Sequence, residues 1–312
     1  MAACSRQVVA FALLATAAAA APISCDTAVV GGGWAGVYAA WRLVVDTATV
    51  KPEDVCLFEQ RKAVGGRTYS VDVGELTVDI GAYRFGMHMH LPADIIVHAL
   101  KLNTTCYEPS CKPDAEFNQT LYRIVDADGH NAGYATPLRI MTKALADAGV
   151  RMYYEHELTG LYDEPVAVEA RGEAPASMLH FAGGSVARAQ AVLLNLPRAA
   201  VERLDPKSVL FVPDHTALPV QLLRNCSPCT GPGVPSTSIA IKVYAIYDDP
   251  WWLTKLKLAE GNFVSKPSDP GPPLVGRYHD GPVRHDASGK VVGPGALEAV
   301  YAFSFLHPDI SW

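Results

Sequence analysis

A glycine-rich turn between an apolar strand and an apolar helix constrains the fold of this chain more than any other feature. The predicted strand Ala28–Val30 runs into GGGWAG at 31–36, which has the spacing G-x-G-x-x-G. In a strand–turn–helix unit, the first glycine permits the tight turn, the second admits a pyrophosphate, and the third lets helix and strand pack closely. The helix N-terminus offers free N–H groups to the phosphates. The turn predicts a dinucleotide site whose contacts are Gly31, Gly33, Trp34, Ala35 and Gly36.

An acidic residue at the end of the next predicted strand fits the same site. The strand Asp54–Phe58 leads into Glu59, which follows Gly36 by 23 residues. This is close to the roughly 20-residue spacing at which an acid binds the ribose 2′-hydroxyl. A carboxylate here would repel a 2′-phosphate, so the sequence favours an unphosphorylated adenosine over NADP. A surface glutamate at the end of an ordinary strand is the alternative.

A second glycine pair, flanked by arginines, decides between NAD and FAD. The segment after Glu59 contains Arg61 and the run Gly65-Gly66-Arg67, in which flexible backbone and guanidinium groups suit a pyrophosphate. Together the two motifs resemble the flavin-containing amine oxidase family, which includes monoamine, polyamine and L-amino-acid oxidases. The resemblance implies FAD as the cofactor, with further contacts from Arg61, Gly65, Gly66 and Arg67. A loop whose glycine pair is only a turn is the alternative.

The resemblance also implies an α/β fold of two interleaved domains. One is a Rossmann-like FAD-binding domain and the other an α+β substrate domain on a mostly antiparallel sheet. The expected bounds are a signal peptide at 1–21, the FAD-binding domain at 26–90 and 131–215, and the substrate domain at 91–130 and 216–312.

The local sequence pattern agrees with this order. Helical periodicity runs from Tyr134 to Gly149, followed by a strand at Val150–Tyr154 and a hairpin at Met178–Val186. A buried strand is expected at Ala191–Pro197 and another strand at Leu297–Phe305. The family's closing glycine-rich segment has no counterpart in 248–312, where 271–273 and 293–295 are predicted to be proline-broken loops, so a chain lacking that segment is expected.

A candidate substrate contact lies where a predicted strand ends at Asp79. The resemblance places the following turn under the flavin, with contacts from Gly81, Ala82, Tyr83 and Arg84. L-amino-acid oxidases carry an arginine in this turn that binds the substrate carboxylate, whereas monoamine oxidases do not. A guanidinium suits this role because its fork binds both carboxylate oxygens. A structural ion pair of Arg84 with Asp79 or Glu75 is the alternative.

A lysine inside an apolar strand is the second candidate for chemistry. Lys242 interrupts the apolar run Ser238–Tyr247, and a buried charge is costly unless it is paired. Amine oxidases have a lysine in such a strand shortly before a Pro-aromatic-Trp turn, matched here by 250–252. There the lysine holds a water beside the flavin and assists reoxidation by O2. The alternative is an edge-strand lysine facing solvent.

Composition and the N-terminus bear on partners and location. The net charge of −6 and pI near 5.9 argue against nucleic acid and anionic membranes as partners. The apolar stretch Val8–Ala21 is too short to span a bilayer and resembles a secretory signal, which predicts a secreted or lumenal protein. A disordered alanine-rich extension and a transit peptide are the alternatives. Sequons at Asn103, Asn118 and Asn225 agree with export.

The cysteines and histidines predict disulfides rather than a metal site. Local disulfides are expected within the pairs Cys106/Cys111 and Cys226/Cys229, because the chain enters an oxidising compartment. Cys56 is expected to be an inert buried thiol. His88 and His90 have no evident third ligand, so no metal is predicted.

The sequence therefore predicts an FAD-dependent oxidoreductase that oxidises the C–N bond of an amine or amino acid with O2, giving an imine and H2O2. Arg84 would orient a carboxylate, and Lys242 would hold the water used in reoxidation. A polyamine or monoamine oxidase, and a non-catalytic remnant of the flavin fold, stay open as alternatives.

Overall fold

A six-stranded sheet lies at the centre of the first half of the fold. The computed structural model describes residues 21–107, 120–164, 176–211, 240–265, 274–279 and 281–303. In spatial order the strands are β8 (Arg151–Tyr153), β2 (Val55–Phe58), β1 (Ile23–Val30), β11 (Val186–Leu194), β10 (Ser177–Phe181) and β9 (Leu158–Asp163). The first four are parallel, and β11, β10 and β9 are antiparallel. All four residues of β2 are buried, as expected for a parallel strand covered on both faces.

Two helices cover one face of this sheet. Helix α1 (Trp34–Trp41) follows the glycine turn and continues into one turn of π-helix, Arg42–Asp46. Helix α3 (Thr136–Ala148) ends at Gly149, whose φ of +92° closes the helix, so the predicted helix is confirmed. Their buried side chains pack with those of β1 and β2, including Val29, Val37, Leu57, Leu138, Met141 and Leu145. The Rossmann-like arrangement is therefore confirmed.

A mostly antiparallel sheet forms the second half. Its path is β12 (Ala240–Tyr247), β16 (Val291–Phe303), β14 (Val275–Arg277) and β13 (Asn262–Val264), and β15 (Val283–His285) also pairs with β16. The smaller elements are the hairpin β3 (Ser70–Val73) and β4 (Leu76–Asp79), the sheet β5 (Phe85–Gly86), β7 (Leu121–Ile124) and β6 (Thr104–Cys106), and helices α2 (His90–Ala93), α4 (Arg198–Val201) and α5 (Trp251–Thr254). The predicted α/β fold with a second antiparallel sheet is confirmed.

Two predicted elements differ from the structure. Residues 191–194 are the end of β11 rather than a separate buried strand, and Leu193 is 40% exposed. The reason is that β10 pairs with β11 only up to Ala189, so the end of β11 has β1 alone as a paired neighbour among the described strands. The expected loop at 293–295 lies inside β16. Pro294 is tolerated there because β15 shifts its register against β16 at this point, and proline in sheets is confined to such irregularities.

The cysteine prediction needs one correction. Cys56 is joined to Cys25 by a disulfide, with the Cα atoms 5.9 Å apart. Neighbouring strands β1 and β2 bring the two cysteines together, a pairing that their separation in sequence hides. Cys106 is also disulfide-bonded. Its expected partner Cys111 lies outside the described residues, together with Cys226, Cys229, residues 1–20, 271–273 and the sequons at 118 and 225. Among the helices of the described residues, none combines the length and apolar character needed to cross a membrane.

Candidate functional site

The glycine turn adopts a conformation that requires glycine at two positions. Gly31 has φ +101° and donates its N–H to the Phe58 carbonyl at 2.8 Å. A Cβ on Gly31 would lie 2.5 Å from the Asn195 carbonyl oxygen, and one on Gly36 would lie 1.9 Å from that of Gly31. These approaches exclude larger residues, because real Cβ atoms do not come within 3.0 Å of such neighbours.

The middle glycine faces open space instead. A Cβ on Gly33 would meet no atom within 4 Å. Gly33 is the N-cap of α1 and provides no side-chain cap, so the first N–H groups of the helix have no side-chain acceptor there. Unpaired donors beside open space suit a pyrophosphate. The turn therefore fits the diphosphate of a dinucleotide cofactor.

Glu59 is buried at the edge of this turn. It is 5% exposed, and its carboxylate accepts N–H bonds from Gly32 at 2.7 Å and Arg61 at 2.9 Å. The alternative of a surface glutamate is therefore wrong. Each carboxylate oxygen accepts more than one hydrogen bond, so the group retains capacity for ribose hydroxyls while the backbone fixes its position.

The second glycine pair lies directly on the first turn. Gly65 and Gly66 have φ values of +134° and +59°, and the Gly65 N–H donates to the Gly32 carbonyl at 2.8 Å. A Cβ on Gly66 would lie 3.4 Å from the Gly33 Cα. The side chains of Arg61 and Arg67 are exposed. The two motifs quoted for the family are thus brought into contact.

A backbone contact joins the segment Gly65-Gly66-Arg67 to the turn at 81–84, which was predicted to lie under the flavin. The Arg67 carbonyl accepts an N–H bond from Ala82 at 3.1 Å, and a Cβ on Gly81 would lie 2.0 Å from the same oxygen. Residue 81 therefore has to be glycine, because a side chain would prevent the two backbone segments from coming this close. The predicted contacts from Gly31 to Arg84 form one continuous region.

Lys242 reaches this region from the second sheet. Its Nζ donates to the Gly81 carbonyl at 2.7 Å and lies 3.4 Å from the centre of the Tyr83 ring. Strand β12 is an edge strand of the path, but Lys242 is half-buried, so the solvent-facing alternative is wrong. The face of β12 that carries Lys242 packs on the turn after β4.

Burial shapes the proton affinity of Lys242. The pKa of Lys242 is lowered to about 8, mainly because burial removes water from the ammonium. Glu298 and Asp79 oppose this shift by attraction, whereas Arg84 and Arg277 contribute to it by repulsion. Glu298 is fully buried, and one of its oxygens lies 3.1 Å from the Tyr244 hydroxyl.

Arg84 is held by aromatic rings. Its guanidinium carbon lies 4.9 Å from the centre of the Tyr83 ring and 4.7 Å from that of Tyr107. The carboxylates proposed as structural partners are engaged elsewhere. Asp79 accepts hydrogen bonds from Ser70, Asn131 and the Tyr134 N–H, and Glu75 pairs with Arg284 at 3.1 Å. The structural ion pair is therefore not formed.

Several residues of this region were not predicted. Arg123 on β7 lies 4.8 Å from the centre of the Tyr107 ring and donates to the carbonyls of His279 at 2.9 Å and Tyr107 at 3.3 Å. Burial lowers the pKa of Arg123. We call Arg84, Arg123, Tyr83 and Tyr107 the arginine–tyrosine cluster. Arg277 and Glu298 lie nearby, and Glu298 could have been found as a charge in the apolar run of β16.

A group of potential metal ligands lies apart from the predicted histidines. Within the described ranges, Asp126, Asp128 and His130 have ligand atoms close together. The Asp126 carboxylate accepts N–H bonds from Asp128 at 2.9 Å and His130 at 2.8 Å, which closes an exposed turn. His88 and His90 are not part of this group.

Comparisons with known proteins agree with the fold. Residues 29–91 match the family described as NAD(P)-binding Rossmann-like domain. No curated protein matches the chain. Wild-type putrescine oxidase bound to putrescine superposes with a TM-score of 0.54 at 14% identity, and a single mutant of that enzyme with a TM-score of 0.56 at 14% identity. A triple mutant gives 0.54 at 13% identity. Each alignment covers 91% of this chain and 76% of the other, and the expected amine-oxidase fold is therefore confirmed.

Proposed function

We propose that this chain is an FAD-dependent oxidase acting on the C–N bond of an amino acid or amine. The observation that carries the proposal is the 2.7 Å bond from Lys242 to the Gly81 carbonyl, in a turn that contacts the nucleotide motif through Arg67. A half-buried lysine of lowered pKa thus lies next to a site that fits a dinucleotide, an arrangement typical of functional sites.

The cofactor would be held by the residues of the two glycine motifs. Gly33 and the start of α1 would receive the diphosphate, Glu59 would accept hydrogen bonds from the ribose, and the exposed Arg61 and Arg67 would add positive charge. FAD supplies the redox chemistry when bound, taking two electrons and two protons from the substrate C–H and N–H bonds and passing them to O2 to give H2O2. The imine product then takes up water and yields ammonia and a carbonyl compound, which is a 2-oxo acid when the substrate is an amino acid.

The chain's own residues would position the reactants. Arg84 offers a guanidinium fork to a substrate carboxylate, since it forms no ion pair or hydrogen bond within the described residues. Lys242, held by the Gly81 carbonyl, would hold a water and present positive charge where O2 is reduced. Charge stabilisation in a desolvated site is stronger than in water.

An amine substrate is the competing possibility, favoured by the likeness to putrescine oxidase. The test is H2O2 release from the purified chain with a panel of L-amino acids, monoamines and putrescine. We expect oxidation of amino acids and no turnover of amines that lack a carboxylate. Turnover of putrescine alone would favour a diamine oxidase, and a folded, FAD-loaded chain inactive on the whole panel would favour the non-catalytic remnant.

We further propose that the protein is exported. The Cys25–Cys56 disulfide and the exposed sequon residue Asn103 support this, because disulfides persist in oxidising compartments. Expression with residues 1–21 in a secreting host should yield cleaved, glycosylated protein in the medium. Retention inside the cell with the leader uncleaved would contradict export.

A further inference from the structure

Two guanidinium groups lie on one tyrosine ring, and neither has a carboxylate partner among the described residues. The guanidinium carbons of Arg84 and Arg123 are 4.7 Å and 4.8 Å from the centre of the Tyr107 ring. In the described part of the chain, Arg84 makes ring contacts alone, and Arg123 adds hydrogen bonds to two backbone carbonyls. Like charges this close repel each other, and Arg84 lowers the pKa of Arg123 accordingly.

The two arginines of this cluster have no direct anionic neighbour among the described residues. Asp79 attracts Arg123 at longer range, while Arg84 repels it. Arg84 and Arg123 form no ion pair in the described part of the chain, so no carboxylate there neutralises their charges by direct contact. Desolvated charge without compensation is unfavourable, so the cluster is best suited to an anion that binds from outside.

A buried hydroxyl adds a hydrogen-bond donor at the same place. Tyr107 is 2% exposed, and its hydroxyl has no hydrogen-bond partner among the described residues. Buried polar groups are normally paired, so an orphaned hydroxyl indicates a missing partner. A carboxylate oxygen would accept this bond and also contact a guanidinium.

We propose that the substrate is an acidic amino acid, with two carboxylates that bind the arginine–tyrosine cluster. The inference rests on the proposed function and names its substrate class. Arg84 takes the α-carboxylate, since it shares the Tyr83 ring with Lys242 and is therefore nearer the predicted site of oxidation. Arg123 and the Tyr107 hydroxyl take the side-chain carboxylate. A diamine has the wrong charge for this cluster.

The first test compares L-glutamate with L-glutamine, which has the same shape and no side-chain charge. We expect kcat/KM to favour glutamate by about tenfold or more, because the neutral amide leaves the Arg123 charge unpaired. Arg123→Gln should remove this preference, so that glutamate and glutamine are oxidised with similar kcat/KM. Tyr107→Phe keeps the ring under both guanidiniums and should reduce the preference in part. Arg203→Gln changes an arginine whose side chain is 63% exposed and serves as the matched control.

The second test measures binding without turnover. Calorimetric titration with glutarate and with butyrate compares two carboxylates with one, and we expect glutarate to bind about tenfold more tightly. Arg123→Gln should abolish the difference. Oxidation of glutamine as fast as glutamate, or a preference that survives in both Arg123→Gln and Tyr107→Phe, would overturn the inference while the oxidase function stands. Glutarate binding that depends on Arg123, without oxidation of any substrate, would instead contradict the proposed oxidase function while supporting the dicarboxylate site.

Discussion

The nucleotide turn and the arginine–tyrosine cluster are built in opposite ways. The turn is contiguous in sequence, and its geometry follows from backbone approaches that only glycine permits, such as the 1.9 Å gap that a Cβ on Gly36 would leave to the Gly31 carbonyl. The cluster takes side chains from separate elements, and its geometry depends on how β7 and the turn after β4 pack together. Cofactor binding should therefore respond to backbone changes and substrate choice to side-chain changes.

The largest effect is expected when two glycines of the turn are each replaced by alanine and compared. Gly36→Ala forces a Cβ against the backbone and should lower the stability by about 3 kcal/mol, since the backbone cannot move aside as a side chain can. Gly33→Ala adds a methyl to open space and should leave the melting temperature unchanged but weaken FAD binding. Thermal unfolding of both variants measures the stability, and titration with FAD measures the cofactor affinity. Equal melting temperatures for the two variants would contradict the close approach at Gly36.

Replacing the half-buried Lys242 tests the link between the two regions. Lys242→Met should slow reoxidation by O2 about 100-fold, with little effect on anaerobic reduction by substrate, because it removes positive charge where O2 is reduced. Stopped-flow absorbance separates the two steps. If reduction slows as much as reoxidation, Lys242 has a different role.

The pH dependence of the same lysine gives a further check. Since the pKa of Lys242 is lowered to about 8, reoxidation should slow as pH rises through 8, and Lys242→Met should lose this dependence. In the unfolded chain the lysine binds its proton up to about pH 10.4. Wild-type stability should therefore rise relative to Lys242→Met between about pH 8 and 10, where the unfolded state holds more protons. A flat reoxidation profile in the wild type would contradict the assignment.

Removing the Arg84 guanidinium should have a moderate effect on substrate binding. Arg84→Ala should raise KM for amino acids by about 10- to 100-fold, consistent with loss of a charge-assisted bidentate contact. It should leave the melting temperature nearly unchanged, because Arg84 forms no ion pair within the described residues. Steady-state kinetics with an amino acid measures the effect, and the inhibition constant of the corresponding amine is the control. An equal weakening of amino-acid and amine binding would contradict the carboxylate role.

The smallest effect is expected when Glu59, the predicted ribose contact, loses its charge. Glu59→Gln keeps the shape of the side chain and removes its charge, so FAD affinity should fall about tenfold, within the range for one hydrogen bond to a charged group. Fluorescence titration with FAD checks this, and Lys62→Gln, at an exposed side chain of the same loop, is the control. Unchanged affinity would show that Glu59 has only the structural role of bonding Gly32 and Arg61.

The sequence predicted the turn better than the cluster for a physical reason. The turn roles of Gly31 and Gly36 were predicted correctly because a backbone restriction is visible in the residue type. The residue types of Arg123 and Tyr107 do not indicate their roles. An arginine on a short strand and a tyrosine after a cysteine are common in sequences, and only packing brings the two side chains together. Cys25 was missed for the same reason, because pairing between β1 and β2 brings it to Cys56.

Titration of the purified chain with FAD, followed by flavin absorbance and fluorescence, tests whether the glycine turn binds the cofactor. We expect saturable binding of one FAD per chain, weakened by Gly33→Ala without loss of fold. A folded chain that has no affinity for FAD, or that binds it equally well with Gly33→Ala, would show that the turn is not a flavin site.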